Sequence, residues 1–136
     1  MISPVPPIVI DTNILVSALI SAGGLPARIV GLVKGRSVQT RYSDAILEEY
    51  RTVLSRPKFN FCTEDVQDLI TGIVRIGIPV NTIPSAVSMT DESDRKFYDT
   101  AKSSDAKLIT GNVRHYPDEP FIFTPAAYFQ KYFSTV

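Results

Sequence analysis

The feature that most constrains this chain is the run Ile8-Val9-Ile10 followed at once by Asp11-Thr12-Asn13. Three consecutive apolar residues without polar alternation suit a strand buried on both faces, which is the habit of parallel sheets covered by helices. A helix start directly after the strand leaves Asp11 at its carboxyl end, the edge where open parallel sheets bind ligands. The rest of the chain repeats the pattern. A first helix is predicted from about Asn13 to Ala22, stopped by Gly23-Gly24, and a second from Pro26 until Gly35 closes it. Val38 to Thr40 is a candidate strand, and Ser43 or Asp44 caps a helix through Ser55, ended by Arg56-Pro57. Thr63 is read as the cap of a helix reaching Gly77, with Pro79 to Ile83 as a further strand. After a polar stretch, a helix from about Asp94 to Ser103, strands at Lys107 to Thr110 and Phe121 to Phe123, and a closing helix from Pro125 to Tyr132 complete the series. Alternating strands and helices imply an α/β fold: a three-layer α/β/α arrangement around a mostly parallel sheet of four or five strands.

Composition bounds the chemistry. The 136 residues are read as a short proline-rich leader, residues 1–7, and one domain, residues 8–136. One Cys and one His among them can form neither an internal disulfide nor a Cys/His zinc site, so carboxylates are the expected carriers of any chemistry. The start has no charged region before an apolar stretch, and Asp11 and Asn13 interrupt Ile8 to Ile20, so a cytoplasmic protein without a membrane span is expected. The balance of 14 Lys+Arg against 14 Asp+Glu argues against a general nucleic-acid coat protein. It hides a segregation, however, because Arg28 to Lys58 holds seven bases against three acids. Asp91 to Asp105 holds five acids against three bases.

Helix directions select among the acids. At about 100° per residue, the apolar set Ile46, Leu47, Tyr50, Val53 and Leu54 leaves Glu48 about 165° from its centre, in solvent, and Glu49 about 95° away, at the margin of the buried stripe. Glu49 can therefore reach a cleft or pair with Arg51 or Arg56. On the later helix, Asp94 falls about 15° from the centre of the face formed by Phe97, Tyr98 and Ala101, and Asp99 about 155° away. An acid on the core side is costly unless it is paired, capping or metal-bound. Asp94 thus reads either as a capping acid or as a site acid, and Asp91, Glu92 and Asp99 as solvated charge. Asp11 reads as a helix cap, a site acid, or both. Leu108-Ile109-Thr110-Gly111-Asn112 is a strand followed by turn chemistry, which brings Asn112 to the same carboxyl edge. His115 in a turn is taken as structural ahead of a general acid, and Cys62 as a semi-buried apolar residue. No nucleophile-elbow, dinucleotide or P-loop spacing occurs.

Taken together, Val9 to Asn13, Ser43 to Glu49 with Tyr50, Asp91 to Phe97, and Leu108 to Asn112 resemble the PIN-domain family in order and spacing, from Ile8 to Thr124. Leu54-Ser55-Arg56-Pro57-Lys58-Phe59 and Asp94-Arg95-Lys96-Phe97 are similar to bacterial and archaeal members regarded as toxins of toxin–antitoxin pairs. The resemblance implies an endoribonuclease dependent on Mg²⁺ or Mn²⁺. Asp11, Glu49 and Asp94 match its first three acids, with Asp11 and Asp94 expected on the metal and Glu49 on the metal or the attacking water. Thr12, Asn13 and Thr110 match supporting polar positions. Asn112 stands where many members carry a fourth acid, so one well-held ion is expected, a second arriving only with the RNA phosphate.

The expected partners are RNA, tracked by Arg41, Arg56, Lys58, Arg114 and His115, an antitoxin protein, and a second copy of the chain, since exposed apolar residues among Phe121 to Phe133 suit a homodimer. The other class carried forward is a catalytically weakened PIN-fold module that binds RNA or protein, which Asn112 favours. A phosphotransfer enzyme using Asp11 as nucleophile is disfavoured because the position two residues on is Asn13.

Overall fold

A computed structural model describes residues 5–133, so the first part of the expected leader and the last three residues of the expected domain lie outside the described residues. Five short strands, β1 (Ile8–Ile10), β2 (Arg41–Tyr42), β3 (Ile78–Pro79), β4 (Lys107–Ile109) and β5 (Ile122–Phe123), alternate with helices. The helices are α1 (Thr12–Ile20), α2 (Leu25–Lys34), α3 (Asp44–Leu54), α4 (Thr63–Ile76), α5 (Arg95–Ser103) and α6 (Pro125–Phe133). Every pairing is parallel. β1 pairs with β4 and β4 with β5, while β2 pairs with β3. A single parallel bridge from Ile8 to Thr40, with Ile8 N donating to the Gln39 carbonyl at 2.9 Å, joins the two groups. The order across the molecule is therefore β3, β2, β1, β4, β5, with helices covering both faces in an α/β/α fold.

The apolar run of β1 is the centre of the core: Ile8, Val9 and Ile10 are all buried, as are Leu108 and Ile109 opposite them. From β1 the chain first builds outward through β2 and β3, then crosses back to place β4 on the other side of β1. This reversal makes the carboxyl ends of β1 and β4 a topological switch point, where helices leave in opposite directions and a crevice opens. The ladder reaches both ends of that crevice, since Asp11 N donates to the Ile109 carbonyl and Thr110 N to the Phe123 carbonyl.

Several boundaries differ from expectation, each for a local reason. The strand predicted at Val38 to Thr40 begins as β2 at Arg41, because residues 35–38 donate back to the carbonyls of Gly31, Leu32 and Val33 to close α2. Arg36 turns through φ 62° there. Thr63 is the first residue of α4, not its cap. Cys62 holds the cap position, its carbonyl accepting from Val66 N, and its side chain makes no capping bond and is exposed, not semi-buried. Ser43 does cap α3, accepting from Ile46 N.

The strand expected over Pro79 to Ile83 stops after Pro79 because the chain is drawn off the sheet and across α5. Ile83 N donates to Ser103 Oγ at 2.8 Å, Ser85 Oγ to Asp99 Oδ1 at 2.6 Å, and Arg95 to the carbonyls of Ser85 and Val87 at 2.9 and 2.7 Å. Asp99, expected in solvent, is therefore only 6% exposed. A strap of chain covers the side of the helix that its carboxylate faces. The aromatics expected to offer a self-association surface, Phe121, Phe123, Phe129, Tyr132 and Phe133, are half-buried and pack against the core. Phe123, Tyr128, Phe129, Tyr132 and Phe133 form a tilted and edge-on ring cluster. No single helix among the described residues is long and apolar enough to cross a membrane.

Where α4 hands over to β3, the backbone comes very close to β2. A Cβ on Gly77 would lie 2.3 Å from Thr40 Oγ1 and 2.6 Å from the Ile73 carbonyl oxygen. Thr40 Oγ1 itself donates to that carbonyl at 3.1 Å. The Gly77→Ala variant is expected to lose about 1–3 kcal/mol through overpacking against backbone, read as a lower urea midpoint at an unchanged slope.

Candidate functional site

Asp11 is the residue around which the crevice is built. It leaves a fully buried strand, turns into α1 and caps it, accepting from Asn13 N at 3.3 Å. The carboxylate is 6% exposed, and two hydroxyls donate to its Oδ2: Thr110 Oγ1 at 2.9 Å and Tyr116 Oη at 2.7 Å. Among the described residues, Oδ1 receives only the long capping bond. Burial pushes the Asp11 carboxyl above its ordinary value, opposed by the Tyr116 and Thr110 hydrogen bonds, which favour the charged form. Asp11 is thus the cap of α1 and a buried acid at the carboxyl edge of the sheet.

The residues singled out from sequence come together here. Thr12 Oγ1 donates to Glu49 Oε2, linking α1 to α3. Asn13 spans the crevice mouth, its Nδ2 3.5 Å from Thr110 Oγ1 and its Oδ1 accepting from Gly111 N at 3.1 Å. Asn112 N donates to Thr110 Oγ1 at 3.0 Å, and its amide lies 3.2 Å from the Nδ1 of His115. His115 Nδ1 is in turn 3.8 Å from Asp94 Oδ2. Asp94 sits at the junction of a 3₁₀ turn (Glu92–Asp94) and α5, and its side chain makes no capping bond. Its carboxyl is raised to about 6, first by burial and then by the nearby charges of Asp11 and Asp91, with Glu49 adding less; His115 opposes them.

Two members of the site are absent from the sequence reading. Lys96 Nζ lies 2.7 Å from Glu49 Oε1, the pair being only 24% and 21% exposed. The partner of Glu49 is therefore Lys96, not Arg51 or Arg56, which are exposed. Tyr116, the buried donor to Asp11, follows a short 3₁₀ turn (Val113–His115). Its only sequence signal is being the one aromatic in the polar loop between Gly111 and Pro120. The remaining expected RNA contacts are scattered. Arg41 is half-buried and bonded to Gln39 Oε1 at 2.6 Å, while Arg56, Lys58 and Arg114 are exposed. Arg56 lines a separate cleft of about 610 Å³ between the end of α3 and α4, whose lining includes none of the three acids.

These positions also bear on a metal. Mg²⁺ or Mn²⁺ takes several oxygen ligands in near-octahedral geometry. Both Glu49 oxygens already accept from Thr12 and Lys96, and Asp11 Oδ2 accepts from two hydroxyls. Among the described residues no group of three Asp, Glu, His or Cys side chains is arranged to hold an ion. As arranged, the donors do not fit the metal that the resemblance implies.

The PIN-domain family model matches residues 7–114, which include Asp11, Glu49, Asp94 and Asn112. With that match, over more than half the chain, and a parallel α/β/α fold carrying acids at its switch point, the chain belongs to the PIN-domain family. It is similar to the uncharacterized protein MJ1680 of Methanocaldococcus jannaschii, at 30% identity over 108 residues, 77% of this chain and 70% of that protein.

The raised Asp94 has a consequence for stability. Between about 3.8 and about 6 the folded protein keeps a proton on Asp94 that the unfolded chain has released, so stability falls as pH rises through that window. In chelator-containing buffer, Asp94→Asn is expected to stabilise the fold at pH 7.5 by about 1 kcal/mol, allowing for solvent screening, and to change it little at pH 4. Urea melts at the two pH values provide the check; equal effects at both would contradict the assignment.

Proposed function

We propose that this PIN domain is a catalytically weakened RNA-binding module. The observation that carries the reading is the engagement of Glu49: both its oxygens are held by the protein's own donors, one of them a cation. With Asn112 in place of a fourth acid, the pocket has three carboxylates, of which Asp11 and Glu49 are engaged by internal donors while Asp94 has, among the described residues, only His115 Nδ1 nearby, at 3.8 Å. A polyanion would meet this pocket at its rim, where the exposed Arg114 and His115 follow Asn112. Asp11, fixed by Tyr116 and Thr110, would shape the crevice floor.

A second reading, a metal-dependent endoribonuclease acting as the toxin of a toxin–antitoxin pair, is favoured by one observation. The Asp94 carboxyl is raised first by burial and then by the charges of Asp11 and Asp91, with Glu49 adding less, and a buried acid perturbed by neighbouring acids is a common mark of functional sites. It would require Glu49 to exchange its present partners for a cation. In either reading we place the protein in the cytoplasm as one domain, with an antitoxin protein or a second copy as its candidate protein partners.

A cleavage and binding assay on mixed-sequence RNA separates the readings. With Mn²⁺, the wild-type protein is expected to bind RNA and to cleave it no faster than Asp11→Asn prepared in parallel. Chelator-sensitive cleavage that Asp11→Asn abolishes would establish the ribonuclease instead. Arg114→Ala is expected to weaken RNA binding and to reduce the slope of log K against log salt by about 1; an unchanged slope would remove Arg114 from the interface.

A further inference from the structure

Lys96 lies on α5 two residues beyond Asp94, yet its ammonium is directed at an acid of α3. Its Nζ sits 2.7 Å from Glu49 Oε1 and also donates to the Ser93 carbonyl, at the 3₁₀ turn that carries Asp94. The Lys96 ammonium is 5.7 Å from the centre of the Phe97 ring, and Phe97 is fully buried. Thr12 holds the other Glu49 oxygen. This is a sheltered, charge-assisted contact linking three elements, unlike an exposed pair that solvent can open freely. Asp91, exposed nearby, feels the same positive charge.

We infer that Lys96 is a built-in competitor for divalent cations, a positioning residue whose ammonium takes the place on Glu49 that a metal ion would need. The inference rests on the weakened-module reading and gives it a cause. Each Glu49 oxygen keeps a further lone pair, but a hard cation placed there would stand beside the Lys96 ammonium, and two cations on one carboxylate repel each other. An ion that takes Glu49 must therefore compete with the ammonium, and that competition lowers the metal affinity of the pocket beyond what the number of acids sets. Asn112 then accounts for only part of the weakening.

The test is direct Mn²⁺ binding, followed by calorimetry and by the electron-spin-resonance signal of free Mn²⁺, without RNA. Lys96→Met keeps the length of the stem and removes the charge, and is expected to bind Mn²⁺ at least about tenfold more tightly than wild type, the scale of one charge-assisted contact. Lys96→Arg, which retains a cation, is expected to stay close to wild type. Adding Glu49→Gln to Lys96→Met is expected to cancel the gain. Lys96→Gln, which preserves a donor to Ser93, serves the same purpose if Lys96→Met fails to fold by circular dichroism.

A folded charge-removing variant with unchanged or weaker Mn²⁺ binding, or a gain that survives Glu49→Gln, would overturn the inference. Because the readout is binding alone, it is separable from the module reading. Mn²⁺-dependent RNA cleavage by the wild type would end the latter while leaving the order of affinities to decide the former.

Discussion

The structure depends on a carboxylate that the fold has nearly withdrawn from water. Asp11 stands at the end of the most buried strand, and an unpaired charge there would be costly. The chain meets that demand from three directions: the amide of Asn13 in the next helix, the hydroxyl of Thr110 at the end of the neighbouring strand, and the phenol of Tyr116 beyond the following turn. The same contacts that satisfy the charge also fix where α1 begins, how the loop after β4 folds over the crevice, and which oxygen of Asp11 faces outward. Tyr50, whose hydroxyl donates to the Ile10 carbonyl immediately before Asp11, adds a fourth tie from α3. Specificity of architecture and polarity of the pocket are here one arrangement.

Much of this was legible in the sequence because it follows from periodicity. The apolar run of β1 set the parallel sheet, and helix direction separated Glu49 from Glu48 by a single residue of rotation, about 100°. The shortcomings have a common physical origin. Periodicity says where a side chain points and nothing of what the chain later places there, so Asp99 was read as solvated although residues 83–87 cover it. Nor does it describe reach. Lys96 points away from the apolar face formed by Phe97, Tyr98 and Ala101, and only its long flexible stem allows the ammonium to return to Glu49. Tyr116 lies in a segment with no regular period at all, where side-chain direction is set by tertiary contacts alone.

The zero net charge acquires a structural meaning as well. The pocket gathers three acids from segments far apart in sequence, and the fold sets a single ammonium, that of Lys96, against one of them, so a local acidic surplus sits inside a chain whose sum is zero. The basic residues of Arg28 to Lys58, by contrast, do not converge on the acids. Arg28 lies over the ring of Phe129 at 4.8 Å, Arg41 is folded against Gln39, and Arg56 faces a different cleft. A surplus counted along the sequence is thus divided by the fold among unrelated surfaces.

The strap across α5 has a further consequence. Its fastening residue, Arg95, adjoins Asp94 and also grips Glu92 in the same 3₁₀ turn, while the strap's other end is continuous with the edge strand β3. Edge strand, strap and acid are therefore fastened in one continuous series of contacts, from the rim of the sheet to the turn that carries Asp94. In this molecule the least regular segment is a tether that joins the periphery of the sheet to the turn beside its centre.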